Sequence, residues 1–116
     1  MATIKRSKSR RPTRPAGGSA GDERVIVENV NHPGTSRRVD AAKYRAMRRA
    51  LLKVLPSRSP GLTLADAVSA VLPHLPAVLF PEGAHAGWWF KTVQLDLEAK
   101  LEIVRERTSP LRVRRP

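Results

Sequence analysis

The side chains with the most chemistry to offer in this chain are cationic. Arg105, Arg107, Arg112, Arg114 and Arg115 crowd the C-terminus, Arg45, Arg49 and Lys53 recur at every fourth position, and Lys91-Thr92 stands between the two groups. A guanidinium stays charged at any physiological pH and presents its donors in a fixed fork that matches phosphate oxygens, so phosphate binding is the chemistry these residues suit. Little else competes. The absence of cysteine removes thiol nucleophiles, disulfides and Cys-based zinc sites together. Apart from Ser69 the serines lie in the N-terminal tail and in loops, with no histidine placed to activate them. No Gly-rich phosphate loop precedes a strong strand–helix unit and no acid pair has catalytic spacing, so no enzyme is expected. His32 reads as a loop residue and His74 as a packed or capping one. Only Glu82 stands at ligand spacing between His74 and His85, and neither a metal nor a cofactor is expected.

The charge balance points the same way. Twenty-two Lys and Arg residues against ten acids give a net charge of +12 over 116 residues, which calls for a polyanionic partner or an acidic surface and says nothing of the fold. Residues 1–22 hold Lys5, Arg6, Lys8, Arg10, Arg11 and Arg14 against the single acid Asp22, amid Pro and Gly and with almost nothing apolar to bury. Such a segment cannot repay its ordering entropy and is expected to be a disordered basic tail. It would serve as a solubilising tail, as a basic arm for nucleic acid or, less readily, as a transit peptide, whose apolar face it lacks. Residues 23–116 then form one small domain, itself basic. No apolar run reaches the length of a membrane span and no secretory signal follows Met1.

The elements that must position these cations follow from periodicity. Arg24-Val25-Ile26-Val27-Glu28-Asn29-Val30 is β-branched and partly alternating, a short strand closed by Asn31-His32-Pro33-Gly34. Asp40 is placed to cap a first helix from Ala41 to about Leu55, with Tyr44, Met47, Leu51, Val54 and Leu55 on its apolar face. Arg45, Arg49 and Lys53 lie roughly opposite, and no acid occurs from Ala41 to Leu64 to pair with them. Thr63-Leu64-Ala65-Asp66 resembles a capping box and opens a second helix ending near Leu72, before Pro73. After a linker of about residues 73–86, a third helix carries Phe90, Val93, Leu97 and Leu101 on one stripe, with Trp89 at its edge. Residues 101–107 then read as a strand, Thr108-Ser109-Pro110 as a turn and residues 111–115 as a returning strand. Three helices followed by a basic hairpin spell an α+β, mainly α winged helix-turn-helix, with the hairpin as its wing.

Val30-Asn31, Pro33-Gly34, Arg38-Val39-Asp40, Lys43-Tyr44, Leu55-Pro56, Pro60-Gly61-Leu62-Thr63 and Leu72-Pro73-His74-Leu75-Pro76 resemble the pattern of a family of small bacterial proteins. So do Gly87-Trp88-Trp89, the run from Lys91 to Lys100, Arg105-Glu106 and Pro110-Leu111-Arg112, and the resemblance spans about residues 25–113. That family is functionally uncharacterised, so the resemblance implies membership among bacterial proteins but no activity. The absence of Cys is compatible with a reducing cytoplasm, and a cytoplasmic protein is expected, nucleoid-associated if it binds DNA. Leu97-Glu98-Ala99-Lys100-Leu101-Glu102-Ile103-Val104-Arg105 is also similar to the helix-to-wing junction of winged-helix regulators, commonly Leu-Glu-x-x-Gly-x-Ile-x-Arg, with Leu101 where that pattern has glycine.

These readings converge on a weakly specific duplex-DNA binder, a regulator or nucleoid-type accessory. Lys91 and Thr92 would stand near the groove, and Arg45, Arg49, Arg105, Arg107, Arg112, Arg114 and Arg115 against the phosphate backbone. Gln94 has the donor–acceptor pair that reads adenine but lies toward the buried side. Trp88 and Leu95, opposite the apolar stripe, support a second reading, a protein-interaction or homodimer surface. A third is an RNA- or ribosome-associated basic protein. No small-molecule substrate and no membrane partner are inferred.

Overall fold

Val27 and Val39 have somewhere to go because their segments pair. In the computed structural model, which describes residues 23–116, β1 (Arg24–Glu28) and β2 (Ser36–Asp40) form an antiparallel hairpin running from Arg24↔Asp40 to Glu28↔Ser36. Both valines are buried while Ile26 and Arg38, which pair with each other, are exposed on the opposite face, the alternation expected of a sheet with one covered face. Arg37, opposite Val27, shares the valines' face but is exposed. The expected tail, residues 1–22, lies outside the described residues. β2 is not legible in the sequence, since Ser36-Arg37-Arg38-Val39-Asp40 holds a single apolar residue.

Helix α1 (Ala41–Val54) follows β2 without a break, and Tyr44, Ala46, Met47, Ala50 and Leu51 form its buried face. Asp40 occupies the N-cap position but makes no capping hydrogen bond, a correction to the sequence expectation. Asp40 is also the last residue of β2, and the strand conformation decides where its carboxylate points; the Ala41 N–H donates to the Glu23 carbonyl (2.9 Å). A two-residue strand β3 (Leu62–Thr63) leads into α2 (Leu64–Val71), whose Asp66 N–H donates to Thr63 Oγ1 at 3.1 Å, as the capping box requires. The expected linker has structure. 3₁₀ turns at Leu72–His74 and Pro81–Gly83 bracket Phe80, which is buried in the core.

Helix α3 (Ala86–Ala99) then passes through the centre. Trp89, Phe90, Val93 and Leu97 meet the buried faces of α1 and α2 in one apolar core with Met47, Leu51, Ala67 and Val71, and Val68 packs against it half-buried. The hairpin strands β4 (Val104–Glu106) and β5 (Arg112–Arg114) follow, each shorter than the sequence suggested. β5 is central in a three-stranded antiparallel sheet of order β3-β5-β4, with Leu62↔Val113 on one side and Arg105↔Val113 on the other. Val113 is fully buried beneath it, and Ile103 nearly so. Among the described residues the architecture is α+β: three α-helices with two small antiparallel sheets. Among the described residues no helix is long and apolar enough to cross a membrane.

Two backbone positions make this arrangement possible. Gly61 has φ +85°, and a Cβ there would stand 2.2 Å from the Val113 carbonyl oxygen, so only glycine lets β3 approach β5. Leu101, in the place where glycine is common, adopts φ +62°. The Glu102 N–H donates to the Leu97 carbonyl (2.8 Å) and the Leu101 N–H to that of Glu98 (3.1 Å), the paired bonds of a Schellman cap. The cap survives the substitution because its bonds are backbone bonds.

Candidate functional site

An α-helix at the surface keeps one face wet, and the C-terminal half of α3 does not. Every residue from Val93 to Glu98 is buried, so the whole circumference is covered over nearly two turns. The cover opposite α1 and α2 is β1, which packs along α3 and ties to it where the Glu28 N–H donates to Asp96 Oδ1 at 2.8 Å. Leu95, expected on an exposed partner face, is therefore buried at 8% exposure. The sequence does not show this because the covering strand lies more than sixty residues away. Gln94 is equally inaccessible and donates to Glu98, so its amide is committed internally rather than open to a base.

The burial takes two carboxylates with it. Asp96, with no exposure, accepts from the Glu28 N–H and the Tyr44 hydroxyl, and Lys100 Nζ lies 2.9 Å from its Oδ1. Burial, and then the Asp96 carboxylate at its hydroxyl, push the Tyr44 phenol well above the ordinary tyrosine range. Glu98 accepts from Gln94 and from Arg105 Nε at 2.6 Å. Each buried charge thus has an opposite charge and further donors, the condition under which such burial is tolerated.

The expected phosphate-binding residues divide in two. Arg105 pairs with Glu98, Arg114 Nε with Glu106 (2.7 Å) and Arg45 with Glu23 (2.7 Å). Arg45 holds the Glu23 carboxyl below its usual range through its hydrogen bond and then its charge, and Arg114 does the same to Glu106. The first helix lacks local acids, but its acids arrive from afar: Glu23 reaches Arg45 and Glu102 reaches Arg48. Arg112 and Arg115 donate to backbone carbonyls, those of Gly61 (3.1 Å) and Leu55 (2.7 Å), and keep their charge. Arg49, Lys91 and Arg107 are exposed, with no acid partner among the described residues. Thr92 is half-buried.

Lys91, Thr92, Trp88 and Leu95 nevertheless come together. They line one wall of a groove of about 340 Å³, closed on the other side by Val27, Glu28, Asn29, Thr35, Ser36 and Arg37 of the hairpin. The Arg37 guanidinium lies 5.7 Å from the centre of the Trp88 ring, and Trp88 meets Trp89 edge-on with centroids 5.0 Å apart. Arg37 is the member sequence reasoning missed as a site residue. Its charge was visible, but only the unanticipated β2 brings it to α3. Among the described residues no three His, Cys, Asp or Glu side chains gather as a metal site would need.

No curated protein and no solved structure matches the chain. One family model does, over residues 24–113, nearly the whole of the region built from these elements. The chain belongs to that family, a family of unknown function designated DUF6958.

Proposed function

We propose that this protein is a winged-helix module that binds duplex DNA through phosphate contacts, with little choice of sequence. Two topological features support the winged-helix reading: β3, between the first two helices, pairs with the C-terminal hairpin, and that hairpin follows α3 directly. The observation that carries the binding reading is charge left uncompensated. Leaving Arg24 aside, ten basic side chains of residues 23–116 have no ion-pair partner among the described residues, against four such acids, Glu28, Asp40, Asp66 and Glu82. Cations free of acids neutralise phosphates at the lowest cost, because no internal pair is broken. Arg49, Lys91 and Arg107 are the strongest members of this set, whereas Arg45, Arg105 and Arg114, each paired with an acid, fall outside it and contribute least. Covering α3 argues for backbone contacts over base reading, since its side chains from Val93 to Glu98 have no route into a major groove.

The test is retention of short duplexes of unrelated sequence by fluorescence anisotropy across a salt series. Binding in the micromolar range at about 50 mM salt is expected, nearly equal for all duplexes. Arg49→Ala, Lys91→Ala and Arg107→Ala should each lower the slope of log affinity against log salt by about 0.9 where that residue meets a phosphate. Arg45→Ala should change it less. No retention of any duplex at that salt would end the DNA reading. A partner-surface reading would replace it, supported by Trp88, 47% exposed on the rim of the groove.

A further inference from the structure

The groove between the hairpin and α3 has features that phosphate-backbone binding does not use. Its floor is apolar, from Val27 and Leu95, with the Trp88 indole along it, and its charges are Arg37 and Lys91 against one carboxylate, Glu28. Neither cation has an acid partner among the described residues. The Arg37 guanidinium instead lies 5.7 Å from the centre of the Trp88 ring and makes no hydrogen bond among the described residues, so its N–H donors are unspent. A guanidinium held in place with free donors is prepared for a carboxylate, which it meets with two parallel hydrogen bonds. At about 340 Å³ the groove lies at the small end of the range for ligand clefts, and seven of its eleven lining residues are polar or charged, set around the apolar Val27, Leu95 and Trp88. A backbone phosphate would use the charges and leave the floor empty.

We propose that this groove binds a small flat organic monoanion, an aromatic or heteroaromatic carboxylate. Its ring lies against Leu95, Val27 and the indole edge, and its carboxylate reaches Arg37 and Lys91. Glu28 limits the charge: with two cations and one acid in the lining, a monoanion is balanced and a dianion is opposed. The site shares Lys91 with the phosphate contacts proposed above, but Arg49 and Arg107 do not line it, and Arg37, Val27 and Leu95 take no part in those contacts. Either proposal can fail alone.

Calorimetric titration of the full chain with naphthalene-2-carboxylate, and with 2-naphthamide as its uncharged counterpart, tests this without DNA present. The carboxylate should bind at least about tenfold more tightly than the amide, the margin a charge-assisted pair supplies. Arg37→Gln and Lys91→Gln alter exposed side chains and should leave the circular dichroism and the melting temperature intact. Each should remove most of that margin while leaving the amide unchanged. A Cβ at Gly87 meets nothing within 4 Å, so Gly87→Leu places its side chain in the groove and should weaken both probes at least about tenfold. Equal affinities for carboxylate and amide, carboxylate binding unchanged by both charge variants, or no heat from the carboxylate at millimolar concentration would each overturn the proposal.

Discussion

Asp96 is the residue on which the arrangement around α3 turns. A carboxylate with no solvent exposure costs several kcal/mol unless its oxygens are fully engaged, and here β1, α1 and Lys100 at the C-cap of α3 each supply a partner. The hydrogen bond from the Glu28 N–H therefore does more than join a strand to a helix: without the hairpin, Asp96 would face solvent on that side and the hairpin's docking energy would be lost. Tyr44 is the chain's only tyrosine, so its ionisation can be followed by ultraviolet absorbance without ambiguity. Its phenol is held above the ordinary value of about 10 by burial and by Asp96. With the folded-state value raised, the stabilisation is complete below about pH 10 and declines as the pH climbs beyond it, because the unfolded chain releases the proton first. The expected outcome is little phenolate absorbance from the native protein just above pH 10, then phenolate appearing together with unfolding. Tyr44→Phe should cost about 1–3 kcal/mol at neutral pH by removing a buried donor from Asp96, and should flatten the alkaline decline. A native protein titrating at the ordinary value would show that the hydroxyl is not buried against Asp96.

At the scale of elements, two left-handed positions make opposite predictions. Leu101 has φ +62° and is 82% exposed, so its side chain contributes no packing and bears the strain of that conformation. Leu101→Gly should raise stability by about 0.5–1 kcal/mol in denaturant titration, since the Schellman bonds are the backbone's. Gly61→Ala, also at positive φ, should lower it by more than that, because the new Cβ meets the Val113 carbonyl and separates β3 from β5. A neutral Gly61→Ala would mean that the β3–β5 pairing adds little to the fold. The same elements explain what the sequence disclosed. All three helices were legible because their apolar faces are set by neighbours three and four residues away, and Thr63 capped α2 as its spacing implied. β2 and β3 were hidden: one has a single buried residue and the other is two residues long, and β3 exists only through a partner about fifty positions on. Of the candidate site, Trp88, Lys91 and Thr92 could be read from α3 alone. Arg37 as their neighbour, Leu95 as buried and Glu23 as the partner of Arg45 all depend on the hairpin's docking, which no local pattern encodes.

For the whole molecule the decisive quantity is where the charge resides. Residues 1–22 hold six cations and one acid, whereas residues 23–116 hold sixteen and nine, with five ion pairs. If phosphate contacts provide the affinity, both parts contribute to the salt dependence, and neither selects a sequence. Removing residues 1–22 should therefore lower the slope of log affinity against log salt by roughly 0.9 for each phosphate that the tail neutralises, and by the same amount for every duplex. Among the described residues the core runs from Val25 to Val113, and residues 1–22 hold almost nothing apolar, so thermal melting of the shortened chain should stay within a few degrees of the full one. The two measurements separate a binding defect from a folding defect. A shortened chain that melts normally and keeps its full slope would place all phosphate binding on residues 23–116, and Arg49, Lys91 and Arg107 would have to account for it. A weakening confined to particular duplex sequences would contradict the backbone reading itself, and would require the hairpin to leave α3 so that residues such as Gln94 reach a base.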